Sequence, residues 1–324
     1  MTTSVYYLLN ALARRGGTYV MFDHIRTLRK HNINAQFLFV GSDWPGFEEN
    51  LRTLNAADVP VAQINEVHVK GDFERAWFIA PETLSYTHYI QPLNIQNLVL
   101  HNQNPLYTHY YADDAKQINA QPNLKRIIVP SHYTKWKLQD MGINRPIDVV
   151  LPYIPDIFQA AEKPKDCINI TCYTSKRADE IKLIQFYFES LRGTLPMPVN
   201  FFSISGSRED IAQAMAKSHI FLSLAKNESL GLMALEAMAS GCHMVGFSGF
   251  TEFERNDCLS PSNGDWVQEG EYHALAKKLE QAIFQAASGL PNPIIQAGQN
   301  MVNQRYRYPQ FEAALLQAIG HLAA

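Results

Sequence analysis

The sequence is poor in cysteine and has no long run of apolar residues. The cysteines lack the C-x-x-C spacing that a zinc site needs, which favours buried free thiols in a reducing compartment. They are Cys167, Cys172, Cys242 and Cys258. The apolar stretch in "MTTSVYYLLNALARRGG", at the N-terminus, is too short to span a bilayer and has no basic region ahead of it. We therefore expect a cytoplasmic protein.

A strong charge of either sign is also missing. The 324 residues carry a formal net charge of -3, and the sequence pI is near 6.4. This balance gives no overall attraction to nucleic acid, so we expect no nucleic-acid partner. An apolar fraction of 46% and a charged fraction of 18% are typical of a globular protein, and the length allows two domains.

Two cofactor-related motifs are absent. No G-x-G-x-x-G follows any predicted strand, which disfavours a nicotinamide-dependent dehydrogenase. No D-x-D pair ends a strand, as it would if carboxylates held a metal together with a diphosphate. The sequence therefore predicts neither a resident cofactor nor a metal.

Short apolar runs alternate with helical patterns along the first half of the chain. Such runs, bounded by polar residues, glycine or proline, are typical of buried parallel strands. The predicted strands are "SVYYLL", "AQFLFVG", "AWFIAPE", "NLVLHNQN" and "KRIIVPS". Between and after them, "YVMFDHIRTLRKHN" and "HYTKWKLQDMG" have helical spacing.

The proline-containing segment "RPIDVVLPYIPDIFQAAEKPKDC" is predicted to be a linker. A second α/β series follows it, with strands at "INITCYT", "VNFFSIS", "HIFLSLA" and "HMVGFS", and the tail from about Glu271 is helical by pattern. We therefore predict two doubly wound α/β domains, residues 1–152 and 153–324. This division is compatible with a last helix that packs back onto the N-terminal domain.

The stretch "NESLGLMALEAMASGC" places two carboxylates eight positions apart in an otherwise apolar segment. Glu228 is predicted on the loop at the carboxyl end of the strand "HIFLSLA". Glu236 is predicted two turns later, on the following helix. Two such acids can bind hydroxyls at two places along one ligand, and free helix amides between them suit a phosphate. The ordinary alternative is an exposed loop acid and a locally paired one.

This segment resembles the donor-binding segment of retaining glycosyltransferases of the GT-B fold, family 4 (group 1). The family pattern is E-x(7)-E within a run such as E-G-F-G-L-x-x-x-E-A-M-A-x-G-x-P-V. The matching residues are Glu228, Gly231, Leu232, Glu236, Ala237, Met238, Ala239 and Gly241. The resemblance implies a fold of two Rossmann-like doubly wound domains that face a central cleft.

Carried over to this sequence, the resemblance implies roles for residues of the second domain. Glu236 would hold the ribose hydroxyls of a nucleotide sugar, and Glu228 would contact the transferred sugar. Either Lys176 or Arg177, in "CYTSKRADE", would neutralise the departing diphosphate. The loop between the two glutamates would complete the donor site with Ser229, Leu230, Gly231 and Leu232.

The resemblance extends more weakly to the first domain. "RRGGT" resembles a glycine-rich loop after the first strand, so Gly16 and Gly17 would admit a phosphate or sugar, although a plain turn explains them equally well. His101 ends a strand where the family often carries a catalytic histidine; a structural histidine is the alternative. Acceptor contacts would come from Asn102, Asn104 and Tyr107.

The sequence departs from the family pattern at several positions. His243 replaces the frequent proline, and Ser229 and Leu230 replace "G-F". The passage "FSGFTEF" keeps only Glu252 of "S-D-x-G-G-x-x-E". The family passage "G-R-x-x-x-x-K-G" is shortened to "YTSKR". The sequence therefore does not decide whether Lys176 or Arg177 contacts the diphosphate.

The resemblance implies a retaining, metal-independent transferase in glycan or surface polysaccharide biosynthesis. Its donor would be a UDP-, GDP- or dTDP-linked sugar, and its acceptor a glycan or a lipid-linked molecule. Two alternatives stay open: a non-catalytic nucleotide-sugar-binding subunit of an active transferase, and an epimerase of the same fold. Basic residues in "ARR" and "RTLRK" allow peripheral contact with the inner face of a membrane, although a solvated face is favoured.

Overall fold

The chain divides into two compact α/β units. The computed structural model describes residues 3–13 and 15–319. Unit 1 comprises the chain up to Pro152 together with the chain from Pro309 onward, and unit 2 is Tyr153–Tyr308. Each unit is built on one parallel sheet flanked by helices, which confirms the predicted fold class.

Unit 1 contains a seven-stranded sheet in the order β3-β2-β1-β4-β5-β6-β7, and every pairing is parallel. The chain order reverses between β1 and β4, the third and fourth strands of the sheet. Because both faces are covered, β1 is buried along its whole length. The strands are β1 Val5–Leu9, β2 Ala35–Phe39, β3 Val61–Gln63, β4 Trp77–Pro81, β5 Asn97–His101, β6 Leu124–Val129 and β7 Ile147–Val149.

Some helices of unit 1 begin where a side chain caps a free amide. The Ser131 hydroxyl accepts from the Thr134 amide at 3.0 Å, and the Asp114 carboxylate accepts from the Gln117 amide at 2.7 Å. The helices are α1 Gly16–Lys30, α2 Trp44–Thr53, α3 Ile64–Val69, α4 Asp72–Arg75, α5 Ala115–Ala120 and α6 His132–Asp140. A 3₁₀ segment, Pro105–Tyr110, follows β5.

Unit 2 contains a five-stranded parallel sheet in the order β12-β11-β10-β8-β9. Its chain order reverses between β8 and β10, as in flavodoxin-like doubly wound sheets. Three strands, β8, β10 and β11, form the buried centre, and β9 is a largely exposed edge. The strands are β8 Ile168–Cys172, β9 Val199–Ser203, β10 Ile220–Leu224, β11 His243–Phe247 and β12 Asp265–Val267.

Two helices of unit 2 also start at recognisable signals. A capping box joins Ser207 and Asp210 at the start of α8, and Asn292 followed by Pro293 starts α11. The helices are α7 Ile181–Leu191, α8 Arg208–Ala216, α9 Leu232–Ala239, α10 Tyr272–Ala287 and α11 Pro293–Arg305. The last helix of the chain, α12, is Tyr308–Ile319. From Pro309 onward α12 belongs to unit 1, where Phe311 packs against His24.

Several element boundaries differ from the sequence prediction. The predicted linker contains β7, which pairs with β6 at the edge of the first sheet. The short strands β3 and β12 were not predicted, because three residues give too little alternation to recognise. The glycines predicted to form a loop after β1, Gly16 and Gly17, are instead the first two residues of α1.

Some of the basic residues considered for membrane contact have partners within unit 1. Arg26 pairs with Asp58 at 2.6 Å, and Lys30 pairs with Glu312 at 3.0 Å. Arg14, part of the same predicted face, lies outside the described residues. Within residues 3–13 and 15–319, no helix has both the length and the apolarity needed to cross a membrane. The cysteines are free thiols, three of them buried.

Two histidines stack in the core of unit 1. The rings of His24 and His101 lie 4.9 Å apart between centroids, and the Tyr7 hydroxyl lies 3.1 Å from His24 Nδ1. Burial, reinforced by the neighbouring ring, holds the pKa of His24 well below its usual value, and burial lowers the pKa of His101 to about 3. Both rings are therefore neutral at physiological pH.

We predict that acidification destabilises the fold through this histidine pair. The folded-state pKa values lie below that of an unfolded histidine, so the unfolded chain takes up protons first as the pH falls below about 6.5. Each buried histidine then costs about 1.4 kcal/mol of unfolding free energy per pH unit. His24→Phe should reduce the fall in the urea midpoint between about pH 6.5 and about pH 5.5.

The control for this prediction is His68→Phe, which alters an exposed histidine of the same unit. That variant should keep the wild-type pH dependence. Glu82 acts in the opposite direction, because burial raises its pKa to about 7 and the folded state holds its proton more tightly. An unchanged pH slope in His24→Phe would contradict the assignment of the acid sensitivity to the stacked rings.

Candidate functional site

The candidate site of unit 2 lies at the carboxyl ends of β8 and β10. These strands are neighbours, and the chain order of the sheet reverses between them. Ligands of open α/β sheets bind at such a reversal, because the loops leave the two strands in opposite directions and open a crevice. Lys176 and Arg177 follow β8, and Glu228 follows β10, so the structure brings three predicted residues to this point.

Lys176 and Glu228 form an ion pair across the two strand ends. The Lys176 ammonium lies 2.6 Å from Glu228 Oε1 and donates to the Lys226 carbonyl at 2.9 Å. Both side chains keep partial access to solvent, 38% for the lysine and 21% for the glutamate. The pair therefore provides one cation and one carboxylate that a ligand at the strand ends can reach.

Arg177 is buried and holds the loop that carries Glu228. Its guanidinium forms a bidentate pair with Glu269, bonds both oxygens of Glu180, and donates to the Ala225 carbonyl at 2.9 Å. It also lies over the Phe247 ring, 4.4 Å from its centroid. Arg177 has no exposed side-chain area and holds this loop in place, and its predicted contact with a diphosphate stays a prediction.

Glu236 lies on α9 and is almost enclosed. Its carboxylate pairs with Arg208 of α8 at 3.4 Å, and its side chain is 10% exposed. Because Arg208 is the first residue of the helix after β9 and Glu236 belongs to the helix after β10, the pair joins α8 to α9. Sequence reasoning missed Arg208, since no spacing along the chain relates it to Glu236.

The loop between the two glutamates ends at a glycine with a left-handed backbone. Gly231 has φ of 78° at the N-cap of α9, where the described residues supply no side-chain cap. The first amides of α9 therefore lack helical acceptors, and the positive end of the helix dipole points toward the strand ends. Leu230 is buried, whereas Ser229 and Leu232 are half-buried. This arrangement suits an anion held by backbone amides.

A second group of polar residues lies at the carboxyl edge of the unit 1 sheet. Glu82, just after β4, is buried and accepts the amides of Gln103 and Asn104 at 2.9 Å and 3.0 Å. Its pKa rises to about 7 because burial outweighs these two bonds. The Gln103 side chain fills the space beside Gly17: a Cβ there would lie 2.3 Å from Gln103 Oε1. Gly17 therefore makes room for a side chain of the protein itself.

The predicted acceptor residues are largely used within unit 1. Asn102 is fully buried and donates to the Thr108 hydroxyl at 2.6 Å, and its predicted contact with an acceptor stays a prediction. The Asn104 side chain caps the following 3₁₀ segment at the Leu106 amide. Tyr107 is half-buried. His101 is 1% exposed, and its buried Nδ1 has no partner among the described residues.

His243, which stands where the family pattern has proline, also has a structural explanation. Its ring joins Asp265 at 2.8 Å and Asn292 at 3.1 Å, and so ties β11 to β12 and to the start of α11. The bond from His243 holds the pKa of the Asp265 carboxyl below its usual value. Within residues 3–13 and 15–319, no cluster of three or more His, Cys, Asp or Glu side chains is placed to hold a metal ion.

Comparison with known proteins identifies the family. The model of the glycosyl transferases group 1 family matches residues 195–301, which include both glutamates of the site. An alpha-1,6-glucosyltransferase of Actinobacillus pleuropneumoniae serotype 7 (strain AP76) is 41% identical over 323 residues. The alignment covers 98% of this chain and 95% of that protein.

Two solved structures are similar over nearly the whole chain. HepE of Anabaena, in complex with UDP and glucose, gives a TM-score of 0.71 at 14% identity and covers 98% of this chain and 100% of that one. A TarM mutant of S. aureus, in complex with fondaparinux, alpha-GlcNAc-glycerol and UDP, gives 0.70 at 10% identity and covers 100% of both chains. At these identities the likeness shows the fold alone. The chain is a glycosyltransferase of the GT-B fold and belongs to the glycosyl transferases group 1 family.

Proposed function

We propose that this glycosyltransferase transfers glucose from UDP-glucose to a sugar hydroxyl, with retention of configuration, in glycan or surface polysaccharide biosynthesis. The observation that carries the proposal is the Lys176–Glu228 pair at the strand ends, with Glu236 enclosed on the helix that follows. The 41% identical alpha-1,6-glucosyltransferase supports glucose as the sugar and a 6-hydroxyl as the acceptor group. HepE, whose structure holds UDP and glucose, supports the choice of nucleotide.

In the proposed donor complex, the ligand separates the resting ion pair. The diphosphate binds the Lys176 ammonium and the first amides of α9, since both stabilise the negative charge that builds up as UDP leaves. Glu228, released from its cation, accepts hydrogen bonds from hydroxyls of the glucosyl group. Glu236 accepts from the ribose hydroxyls at the other end of the same ligand.

The proposed chemistry exchanges one C–O bond for another on the same face of the sugar. The bond between the anomeric carbon and the β-phosphate oxygen breaks, and the acceptor oxygen forms the new bond from the side on which UDP departs. The acceptor proton passes to the departing phosphate oxygen, so no protein nucleophile is required. Lys176 stabilises the leaving group, and we propose that the reaction needs no metal.

The first test measures transfer by mass spectrometry with UDP-, GDP-, dTDP- and ADP-glucose, in the presence of EDTA and an oligosaccharide acceptor. We predict that UDP-glucose is consumed. Glu228→Gln should lower kcat at least about 100-fold, because its contacts act at the reacting sugar. Glu236→Gln should instead raise the KM for UDP-glucose at least about tenfold, because a hydrogen bond to a charged group is worth about 1.5–3 kcal/mol.

The matched control is Glu189→Gln, which alters an exposed carboxylate of α7 that pairs only locally, with Arg192. It should keep wild-type kinetics, and all three variants should remain folded at the assay temperature. UDP-glucose that binds without turnover would favour a non-catalytic binding subunit. Failure of every donor to bind would contradict the proposal.

The Lys176–Glu228 ion pair of the unliganded protein leads to a second prediction, which concerns the binding of UDP alone. Because Glu228 competes with the diphosphate for Lys176, Glu228→Gln should tighten UDP binding about two- to fivefold, the range expected for a partly exposed ion pair. Lys176→Met should weaken it at least about tenfold. Isothermal titration calorimetry measures both, and Lys165→Met, in an exposed pair with Glu162, is the control. Weaker UDP binding in Glu228→Gln would contradict the competition.

Gly249 fixes where Glu228 lies. Its carbonyl accepts the Glu228 amide at 2.8 Å, and a Cβ on it would lie 2.7 Å from Glu228 Cγ and 2.9 Å from Ala225 Cβ. Gly249 also has φ of 76°, a left-handed conformation that disfavours any side chain. The loop after β11 therefore restricts both the backbone and the side chain of Glu228.

We predict that Gly249→Ala abolishes most of the transfer while costing about 1–2 kcal/mol in unfolding free energy. The control is Gly270→Ala, because Gly270 has a similar φ of 82° but open space where a Cβ would be. Both variants carry the same kind of backbone strain, and only the first displaces Glu228. Equal transfer rates in the two variants, measured with UDP-glucose, would show that the position of Glu228 does not matter.

A further inference from the structure

Arg208 occupies a position that its own helix disfavours. It is the first residue of α8, where the positive end of the helix dipole repels a cation, and the next two residues are the acids Glu209 and Asp210. The capping of this helix is already complete without it, since Ser207 and Asp210 form the capping box. The reason for an arginine at this point must therefore lie outside α8.

Two contacts from other elements account for the arginine. Its guanidinium lies over the ring of Phe158, 5.8 Å from the centroid, and Phe158 is 1% exposed. One guanidinium nitrogen lies 3.4 Å from Glu236 Oε1. The ring limits the freedom of the long side chain, so Arg208 presents its charge to Glu236 from a restricted position.

We infer that Arg208 is a positioning residue for nucleotide recognition: it orients the Glu236 carboxylate toward the ribose hydroxyls and holds its charge in a nearly enclosed setting. This inference rests on the proposed function, in which Glu236 binds the ribose. An enclosed carboxylate needs a cation nearby, because an isolated buried charge is costly. Arg208 supplies this cation by pairing with Glu236 Oε1, and the same carboxylate binds the ribose.

Arg208 affects nucleotide binding through Glu236 and does not contact the nucleotide itself. Removing either side chain should therefore remove the same ribose contact, and removing both should cost little more than removing one. A ribose that lacks its 2′-hydroxyl offers the carboxylate one donor fewer. Binding of 2′-deoxy-UDP should consequently depend less on Arg208 than binding of UDP does.

The test is a double-mutant cycle in nucleotide binding, measured by isothermal titration calorimetry with UDP and 2′-deoxy-UDP. Arg208→Gln and Glu236→Gln should each weaken UDP binding about tenfold, and the double variant should be within about twofold of the weaker single variant. Arg208→Lys should recover part of the affinity, since it restores the charge without the planar fork. The control is Arg192→Gln, which alters a half-buried arginine paired with the exposed Glu189.

The outcomes separate this inference from the proposed function. Additive losses in the double variant, or equal effects on UDP and 2′-deoxy-UDP, would overturn the positioning role while the proposed function stands. Wild-type UDP affinity in Arg208→Gln would also overturn it. A wild-type protein that binds neither nucleotide would overturn the proposed function and this inference with it.

Discussion

The candidate site depends on one buried cation. Arg177 ties together the start of α7, the end of β10 and the loop after β12 through Glu180, the Ala225 carbonyl and Glu269. A buried arginine is tolerable only when its donors are satisfied, and here bidentate carboxylates and a carbonyl satisfy them. These contacts fix the start of the loop that follows β10, and Glu228 lies on this loop three residues after Ala225.

This arrangement explains why adjacent cations have different roles. Arg177 has the planar fork that suits a buried network, whereas Lys176 has a compact charge on a flexible stem that reaches the strand ends. Lys176 therefore meets Glu228 where a ligand can reach both, and Arg177 keeps the loop in place. The sequence "SKR" shows two cations side by side but not which one faces inward.

The sequence predicted the two α/β units, most strands and the pair of glutamates, because these depend on local apolar runs and on a spacing within one segment. The short strands β3 and β12 were missed because three residues carry no periodicity. Glu82, Arg208 and Glu269 were missed for a different reason: each acquires its importance from a partner far away in the chain.

The residues predicted in unit 1 show the same limit. A glycine after the first strand was interpreted as space for a ligand, yet that space holds the Gln103 side chain. An asparagine beside the strand-end histidine was predicted to contact the acceptor, yet Asn102 is buried against Thr108. In both cases the residue follows a strand of the sheet, and packing with residues distant along the chain or in the next loop decides which group it contacts.

The most direct test of this account is a crystal structure of the protein with UDP. The account predicts that the Lys176 ammonium lies within hydrogen-bond distance of a phosphate oxygen and has left Glu228, while Glu236 accepts from the ribose. A structure in which UDP is bound with the Lys176–Glu228 pair intact and the diphosphate elsewhere would contradict it.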